Sequence, residues 1–271
     1  MTNRFSLKDK VIVVTGATGI LGHSFIKALS EEGASIGVLG RNEKVAIERV
    51  VEIVENGGSA VALIADVTRE DQLVAAKKIM LDTYGKIDGL VNAAGGNMPG
   101  AVVAPEQDIF KLDISVLKAV VELNLFGTLL PTQIFGAVIA QQKNGSIVNI
   151  SSMASQRAIT KVLGYSMAKS AIDCYTKWFA VEAGKRYGDA IRVNAIAPGF
   201  FLTEQNKTLL TKEDGSYTNR GNLVVQHTPF NRMGQPEELV GALIWLLGDA
   251  SKFVTGTVVN VDGGFSVFSG V

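Results

Sequence analysis

Short apolar runs alternate with amphipathic stretches along most of the chain, and the alternation is regular. Residues 11–14 form a β-branched run that ends at a glycine-rich turn, after which Leu21, Phe25, Ile26 and Leu29 recur at helical spacing. Strand character returns at 35–39 and 60–65, with helical patterns at 43–55 and 70–84. Further strand-like runs at 87–91, 146–150, 190–196 and 257–261 bring the expected number of strands to seven. Strands apolar on both faces and separated by helices predict a parallel sheet covered on each side and joined by right-handed crossovers. The expected architecture is α/β: a single doubly wound seven-stranded parallel sheet with helices on both faces, of the Rossmann type.

Two segments interrupt the alternation, 95–105 after the fourth strand and 200–234 after the sixth. Both follow the C-terminal ends of strands, the edge where open α/β sheets bind ligands, so they are the expected walls and lids of a site. The chain is therefore expected to be one dinucleotide-binding catalytic domain, 1–271, with a substrate lobe at about 200–234. The stretch 117–140 has the apolarity of a membrane span. Lys118, Glu122, Asn124, Pro131 and Gln133 interrupt it, and a helix buried in protein is expected instead.

Composition narrows the partners. At 47% hydrophobic and 19% charged residues, the 271-residue chain has enough apolar surface for a large core. Lys plus Arg and Asp plus Glu both total 26, so no net positive field gathers nucleic acid or anionic lipid. A small-molecule substrate is expected, with neither nucleic acid nor a membrane as partner. One cysteine, Cys174, excludes an internal disulfide framework, and His23 and His227 are too isolated to suggest a metal site. The polar start, 1–10, lacks an apolar signal core, which points to the cytoplasm.

Candidate chemistry begins at Thr15-Gly16-Ala17-Thr18-Gly19-Ile20-Leu21-Gly22, between the first strand and the first helix. There backbone N–H groups and the positive helix end can hold a pyrophosphate, making Gly16, Thr18, Gly19, Ile20 and Leu21 candidate contacts. A Walker phosphate loop does not occur; in 164–170 Ala168 stands where its second glycine would be. After the second strand, Arg41-Asn42 occupies the place where an acidic residue would hold the 2′-hydroxyl of NAD. A guanidinium there suits the 2′-phosphate of NADP, so NADP is the preferred cofactor and NAD the second choice. Asp66 and Val67, closing the third strand, are candidates for the adenine. Tyr165 and Lys169 are four apart in an expected helix, so both side chains project from one face. Bringing a tyrosine from near pH 10 to about 7 needs roughly 4 kcal/mol of preference for phenolate, which a nearby ammonium and an oxidised nicotinamide can supply.

With the glycine turn, Asn92-Ala93-Ala94-Gly95, Tyr165-Ser-Met-Ala-Lys169 and Pro198-Gly199 in this order, the sequence resembles the short-chain dehydrogenase/reductase family over nearly its whole length. The resemblance implies Ser152, thirteen positions before Tyr165, as the serine that holds the substrate oxygen, and Asn124 as the asparagine that binds a water in the proton relay. It implies that Asn92, Ala93 and Gly95 line the cofactor, that Pro198 and Gly199 flank it, and that Thr203 contacts its carboxamide. A homotetramer is implied as well. The glycines at 16, 19 and 22 depart from the family's commoner spacing of a three-residue gap followed by a single-residue gap.

The loop from Gly95 to Gly100 and the run Gln156-Arg157-Ala-Ile-Thr-Lys161 add polar donors and two cations near the expected site, which suits a hydroxylated acid. These walls, the run from Pro198 to Asn206 and the C-terminal tail are similar to the subgroup of D-mannonate oxidoreductases, or fructuronate reductases. That similarity implies D-fructuronate and D-mannonate as the reacting pair, with Asn97, Ser152, Arg157, Lys161 and Asn206 as substrate contacts. The alternative activities are a 3-oxoacyl thioester reductase or another keto-sugar reductase. A dinucleotide-sensing protein without chemistry is the alternative of another class; its mark would be a lost tyrosine or lysine, and both are present.

Overall fold

Seven parallel strands form one sheet in the order β3-β2-β1-β4-β5-β6-β7, built from β1 (Val11–Thr15), β2 (Ser35–Gly40), β3 (Ser59–Ile64), β4 (Gly89–Asn92), β5 (Gly145–Ile150), β6 (Ile191–Pro198) and β7 (Val258–Val261). The computed structural model describes residues 3–203 and 206–270; Met1, Thr2, Glu204, Gln205 and Val271, which the expected domain and lobe also span, lie outside the described residues. β1 pairs with β2 through Thr15 and Leu39 and with β4 through Thr15 and Asn92. The strand order reverses at β1/β4, so the crevice beyond the ends of these two strands is the ligand-binding switch point of the sheet.

Each face of the sheet has its own core. On one, Phe25, Ile26 and Leu29 of α1 (Ile20–Glu31), Ala46 and Ile53 of α2 (Glu43–Glu55) and Leu243, Leu246 and Leu247 of α9 (Val240–Leu247) pack on Ile12, Val14, Ile36 and Val38. On the other, Leu73, Ala76 and Met80 of α3 (Glu70–Tyr84), Phe135 and Ile139 of α5 (Gly127–Gln142), and Ala180 and Ala183 of α6 (Leu163–Tyr187) cover Val13, Leu39, Leu63 and Leu90. Burial on both faces explains why β1 reads as an unbroken apolar run, not an alternating one.

The helical stretch expected between β4 and β5 is interrupted. α4 (Ile114–Val121) runs into a π turn, Glu122–Phe126, and then into α5. The combined run Ile114–Gln142 passes a length-and-apolarity test for crossing a membrane, but 56% of its most apolar window is buried inside the fold, as expected of a core helix. α9 (Val240–Leu247) was not anticipated from the alternation; it is apolar on nearly every side and fills the space beside β5. Within 200–234 the chain forms α7 (Lys207–Leu210) and α8 (Asn219–Gln226) around a small separate cluster of Leu210, Val224 and Met233.

Candidate active site

Beyond the ends of β1, β2 and β4 lies a cleft of about 660 Å³, lined by Gly16, Thr18, Gly19, Ile20, Leu21, Arg41, Asp66, Val67, Ala93, Gly95 and Thr203. Gly16 has φ 67°, and a Cβ there would stand 2.7 Å from the Ala94 nitrogen; a Cβ on Gly22 would stand 2.2 Å from the Gly16 carbonyl oxygen. The turn therefore closes tightly, with helix α1 pressed onto the end of β1. Thr15 Oγ1 accepts from the N–H groups of Ala93 and Ala94, both at 3.1 Å, which fixes the β4 loop against the turn. The helix begins at Gly19 with no capping side chain and no acidic residue in its first turn. Its first N–H groups and its positive end thus face a cleft of dinucleotide size, and the residues present fit such a group.

At the far end of this cleft Arg41 is 72% exposed and pairs with Asp66 across 3.5 Å. Burial would raise the Asp66 carboxyl, but hydrogen bonds from the N–H and hydroxyl of Thr68, together with Arg41, hold it below its ordinary range. Asn42 does not line the cleft; it caps α2, its side chain accepting from Val45 N at 3.2 Å. Asn92 is likewise turned away. It is 1% exposed and donates to Thr132 Oγ1 and Asn149 Oδ1, both at 2.9 Å, so its side chain ties β4 to α5 and β5. An amide at this strand end satisfies buried polar groups of the core, a role its sequence motif does not distinguish from cofactor contact.

A second cavity, of about 650 Å³, adjoins the first and shares Leu21, Ala93, Gly95, Asn97 and Thr203 with it. Ser152, Tyr165 and Lys169 line it, together with Pro198 and Gly199 at the end of β6 and Asn206, Leu209 and Arg220 of the lobe. Lys169 is 4% exposed; its Nζ donates to the Ile150 carbonyl at 2.7 Å and stands 5.4 Å from the centre of the Tyr165 ring. Burial lowers Lys169 from 10.5 to about 8, with Asp173 opposing the shift. Burial raises Tyr165, and its hydrogen bond with Ser152 does not offset that. The expected depression of Tyr165 toward 7 is therefore not a property of the chain's own groups; a further positive charge beside the ring is needed.

Asn124 sits in the π turn, fully buried. Its Nδ2 donates to the carbonyls of Gly96 and Val120, and its Oδ1 accepts from Gly96 N–H at 2.9 Å. A Cβ on Gly95 would meet this Oδ1 at 2.6 Å and Lys169 Nζ at 3.4 Å, so the absent side chain leaves the asparagine and the lysine facing across one gap. The π turn widens the helix by one residue where Asn124 must turn inward, a common use of such bulges at functional sites.

Two residues at the site were not anticipated. Asp173, 8% exposed, accepts from the hydroxyls of Ser151 and Ser155, the residues on either side of the turn that carries Ser152. It lies four positions after Lys169 on α6, a spacing that marks one helix face and that could have revealed it. Arg220 on α8 has no local signal, because only the fold of the lobe brings it to the cavity. Conversely, Arg157 and Lys161 are not among the cavity's lining residues. Arg157 Nε donates to the Ser266 carbonyl at 2.6 Å, anchoring the C-terminal tail. Lys161 has a left-handed backbone (φ 77°) and its carbonyl accepts from Val103 N–H. Asn206 lines the cavity, but its side chain is spent on Thr203 N and the Phe201 carbonyl. Asn97 also lines it, with a buried Oδ1 that has no partner in the described structure.

The fold and this arrangement have close relatives. The family model described as enoyl-(acyl carrier protein) reductase matches residues 16–266. UxuB, an uncharacterised oxidoreductase of Bacillus subtilis (strain 168), is 39% identical over 275 residues, covering 98% of each chain. A crystal structure of a candidate D-mannonate oxidoreductase from Haemophilus influenza with bound NAD is 39% identical, with a TM-score of 0.90 over 98% of each chain. A gluconate 5-dehydrogenase from Burkholderia cenocepacia J2315, in complex with NADP and tartrate, is 31% identical, with a TM-score of 0.86 over 97% of each chain. The chain belongs to the short-chain dehydrogenase/reductase family. Within it, the protein is an NAD(P)-dependent oxidoreductase.

Proposed function

We propose that the enzyme interconverts a ketone and a secondary alcohol on a sugar acid, D-fructuronate and D-mannonate, with NADP preferred and NAD accepted. The observation that carries this reading is the end-to-end similarity, at 39% identity, to the candidate D-mannonate oxidoreductase. Arg41 at the adenine end of the cleft supports NADP, since a guanidinium matches a phosphate with two parallel hydrogen bonds.

In the reducing direction, Tyr165 donates its phenolic proton to the ketone oxygen while the Ser152 hydroxyl donates a hydrogen bond to the same atom. A nicotinamide dinucleotide, which the glycine turn at 16–22, Arg41 and Asp66 would hold, would supply the hydride for the carbonyl carbon and, in its oxidised form, a positive charge. Lys169 favours the phenolate left behind, and its hydrogen bond to Ile150 keeps the ammonium in place. Asn124 holds the loop at Gly96 and presents Oδ1 toward the gap it shares with Lys169, where a water would pass the proton onward. Asn97 Oδ1, a buried acceptor without a partner, is suited to a substrate hydroxyl. In the oxidising direction each transfer reverses.

Residues 1–271 would act as one catalytic domain, with 200–234 as its substrate lobe. Large apolar side chains left exposed on α4 and α6, among them Ile114, Met167, Trp178 and Val181, support a homotetramer of this enzyme; a single cysteine is compatible with the cytoplasm. The decisive experiment is oxidation of NADPH and NADH against D-fructuronate, other keto sugar acids and a neutral keto sugar. D-Fructuronate is expected to give the highest kcat/KM; equal rates on the neutral sugar would overturn the sugar-acid reading.

A further inference from the structure

The substrate cavity holds a charge whose role the proton relay leaves open. Among its described lining residues the charged ones are Lys169 and Arg220, and none is an aspartate or glutamate. Lys169 is committed to Ile150 and to the Tyr165 ring. Arg220 lines the same cavity from the lobe, at the start of α8.

Its position is set by two anchors. Thr218 caps α8 by accepting from Gly221 N–H at 3.1 Å, while its hydroxyl donates to the Leu209 carbonyl at 2.7 Å, which ties α8 to α7. From there the guanidinium crosses to the loop between Ser152 and Tyr165: Nη1 donates to Thr160 Oγ1 and Nη2 to the Thr160 carbonyl, both at 3.1 Å. These bonds use two of the five N–H donors that a guanidinium carries. No carboxylate among the described residues lies within ion-pair distance of Arg220, whose partners are the two oxygens of Thr160. A half-buried guanidinium, oriented by neutral oxygens and with donors to spare, in a cavity without described acidic residues, is complementary to an anion.

We propose that Arg220 binds the carboxylate of the substrate, so that the acid lies with its charged end on the lobe and its carbonyl carbon toward Tyr165 and Ser152. The proposal rests on the sugar-acid reading above and assigns its anionic end to a residue outside the family's catalytic group. It also gives the lobe a role in selection. A neutral sugar of the same length leaves the guanidinium without an anionic partner, whereas the acid gains two charge-assisted hydrogen bonds.

The test compares kcat and KM for D-fructuronate and D-fructose in the wild type, Arg220→Gln, Arg220→Lys and Thr160→Val, with NADH affinity measured on each as the control for folding. Arg220→Gln is expected to raise KM for the acid and to lower the acid-over-neutral ratio of kcat/KM on the order of 100-fold, while Arg220→Lys recovers part of the ratio. Thr160→Val removes one oxygen from the anchor but keeps the cation, so the ratio stays high. Calorimetric titration of the NADH-bound wild type with D-mannonate and D-mannitol reads the same preference without a variant: the acid binds more tightly. A wild type that prefers the acid while Arg220→Gln keeps that preference overturns the assignment of Arg220 and leaves the sugar-acid reading standing. A wild type that handles acid and neutral sugar alike overturns both.

Discussion

The ammonium of Lys169 donates to the carbonyl oxygen of Ile150 across 2.7 Å, joining the second turn of α6 to the last residue of β5. Ser151 and Ser152 follow Ile150 directly, so one hydrogen bond sets the distance between the lysine and the strand end that carries Ser152, the proposed catalytic serine. Asp173, one turn further along α6, holds Ser151 and Ser155 by their hydroxyls. The turn that carries Ser152 is thus held from both sides by a single helix, the same one that carries Tyr165.

Removing the phenol proton from this arrangement tests its chemistry most directly. Tyr165→Phe is expected to lower kcat by about 10³-fold or more while NADH affinity, followed by fluorescence, changes little. A variant with near-normal kcat would remove Tyr165 from the mechanism.

The pH profile follows from burial of Lys169. Its value is about 8 where 10.5 is ordinary, whereas Tyr165 is raised and keeps its proton throughout the neutral range. As pH rises through 8 the ammonium is lost, the developing phenolate loses its positive neighbour, and kcat/KM for carbonyl reduction falls. Asp173 raises Lys169, so Asp173→Asn shifts that alkaline limb to lower pH. Stability responds with the opposite sign: between pH 8 and 10.5 the unfolded chain binds a proton at this lysine that the folded chain does not, and the contribution grows with pH. An unmoved limb in Asp173→Asn, measured from pH 6 to 10, would separate the carboxylate from the lysine.

Cofactor choice is read at Arg41. Arg41→Ala is expected to weaken NADPH on the order of ten-fold and leave NADH within about two-fold, since the guanidinium, already paired with Asp66, would add to it the 2′-phosphate that NADH lacks. Equal effects on the two cofactors would count against discrimination at this position.

Asn92 and Arg157 provide contrasting controls. Asn92→Leu strands the polar groups of Thr132 and Asn149 in the core and is expected to cost about 1–3 kcal/mol of stability, seen as a lowered Tm. Arg157→Ala releases the tail at Ser266 and is expected to leave KM for the acid unchanged. A raised KM in Arg157→Ala would return that residue to the substrate cavity.

The sheet was legible because its strands are buried on both faces, and residues 11–14 and 35–39 carry that in their composition. Tyr165 and Lys169 were legible because helical spacing alone places them together. Arg220 was not, because its approach to Thr160 depends on how the lobe folds back over a distance of sixty residues. Arg157 illustrates the converse: proximity in sequence to Ser152 does not fix direction, and a tail carbonyl distant in sequence claims its guanidinium. Asn92 sits where a cofactor contact was expected, yet buried acceptors in β5 and α5, Asn149 Oδ1 and Thr132 Oγ1, take both N–H groups of its amide. α9 escaped notice because a helix apolar all round leaves no contrast of faces to read.

The π turn at Glu122–Phe126 couples two parts of the protein that otherwise have little to do with each other. Upstream, Ala119 of α4 lines the cleft beyond β1 and β4; downstream, α5 buries Phe135 and Ile139 under the sheet. One residue more or less in this turn rotates one half against the other by about 100°, the angular step of a helix. Deleting it to make a smooth helix would therefore misdirect either Asn124 or the core face of α5. The length of this stretch is fixed by two demands at once, the inward turn of Asn124 and the buried face of α5.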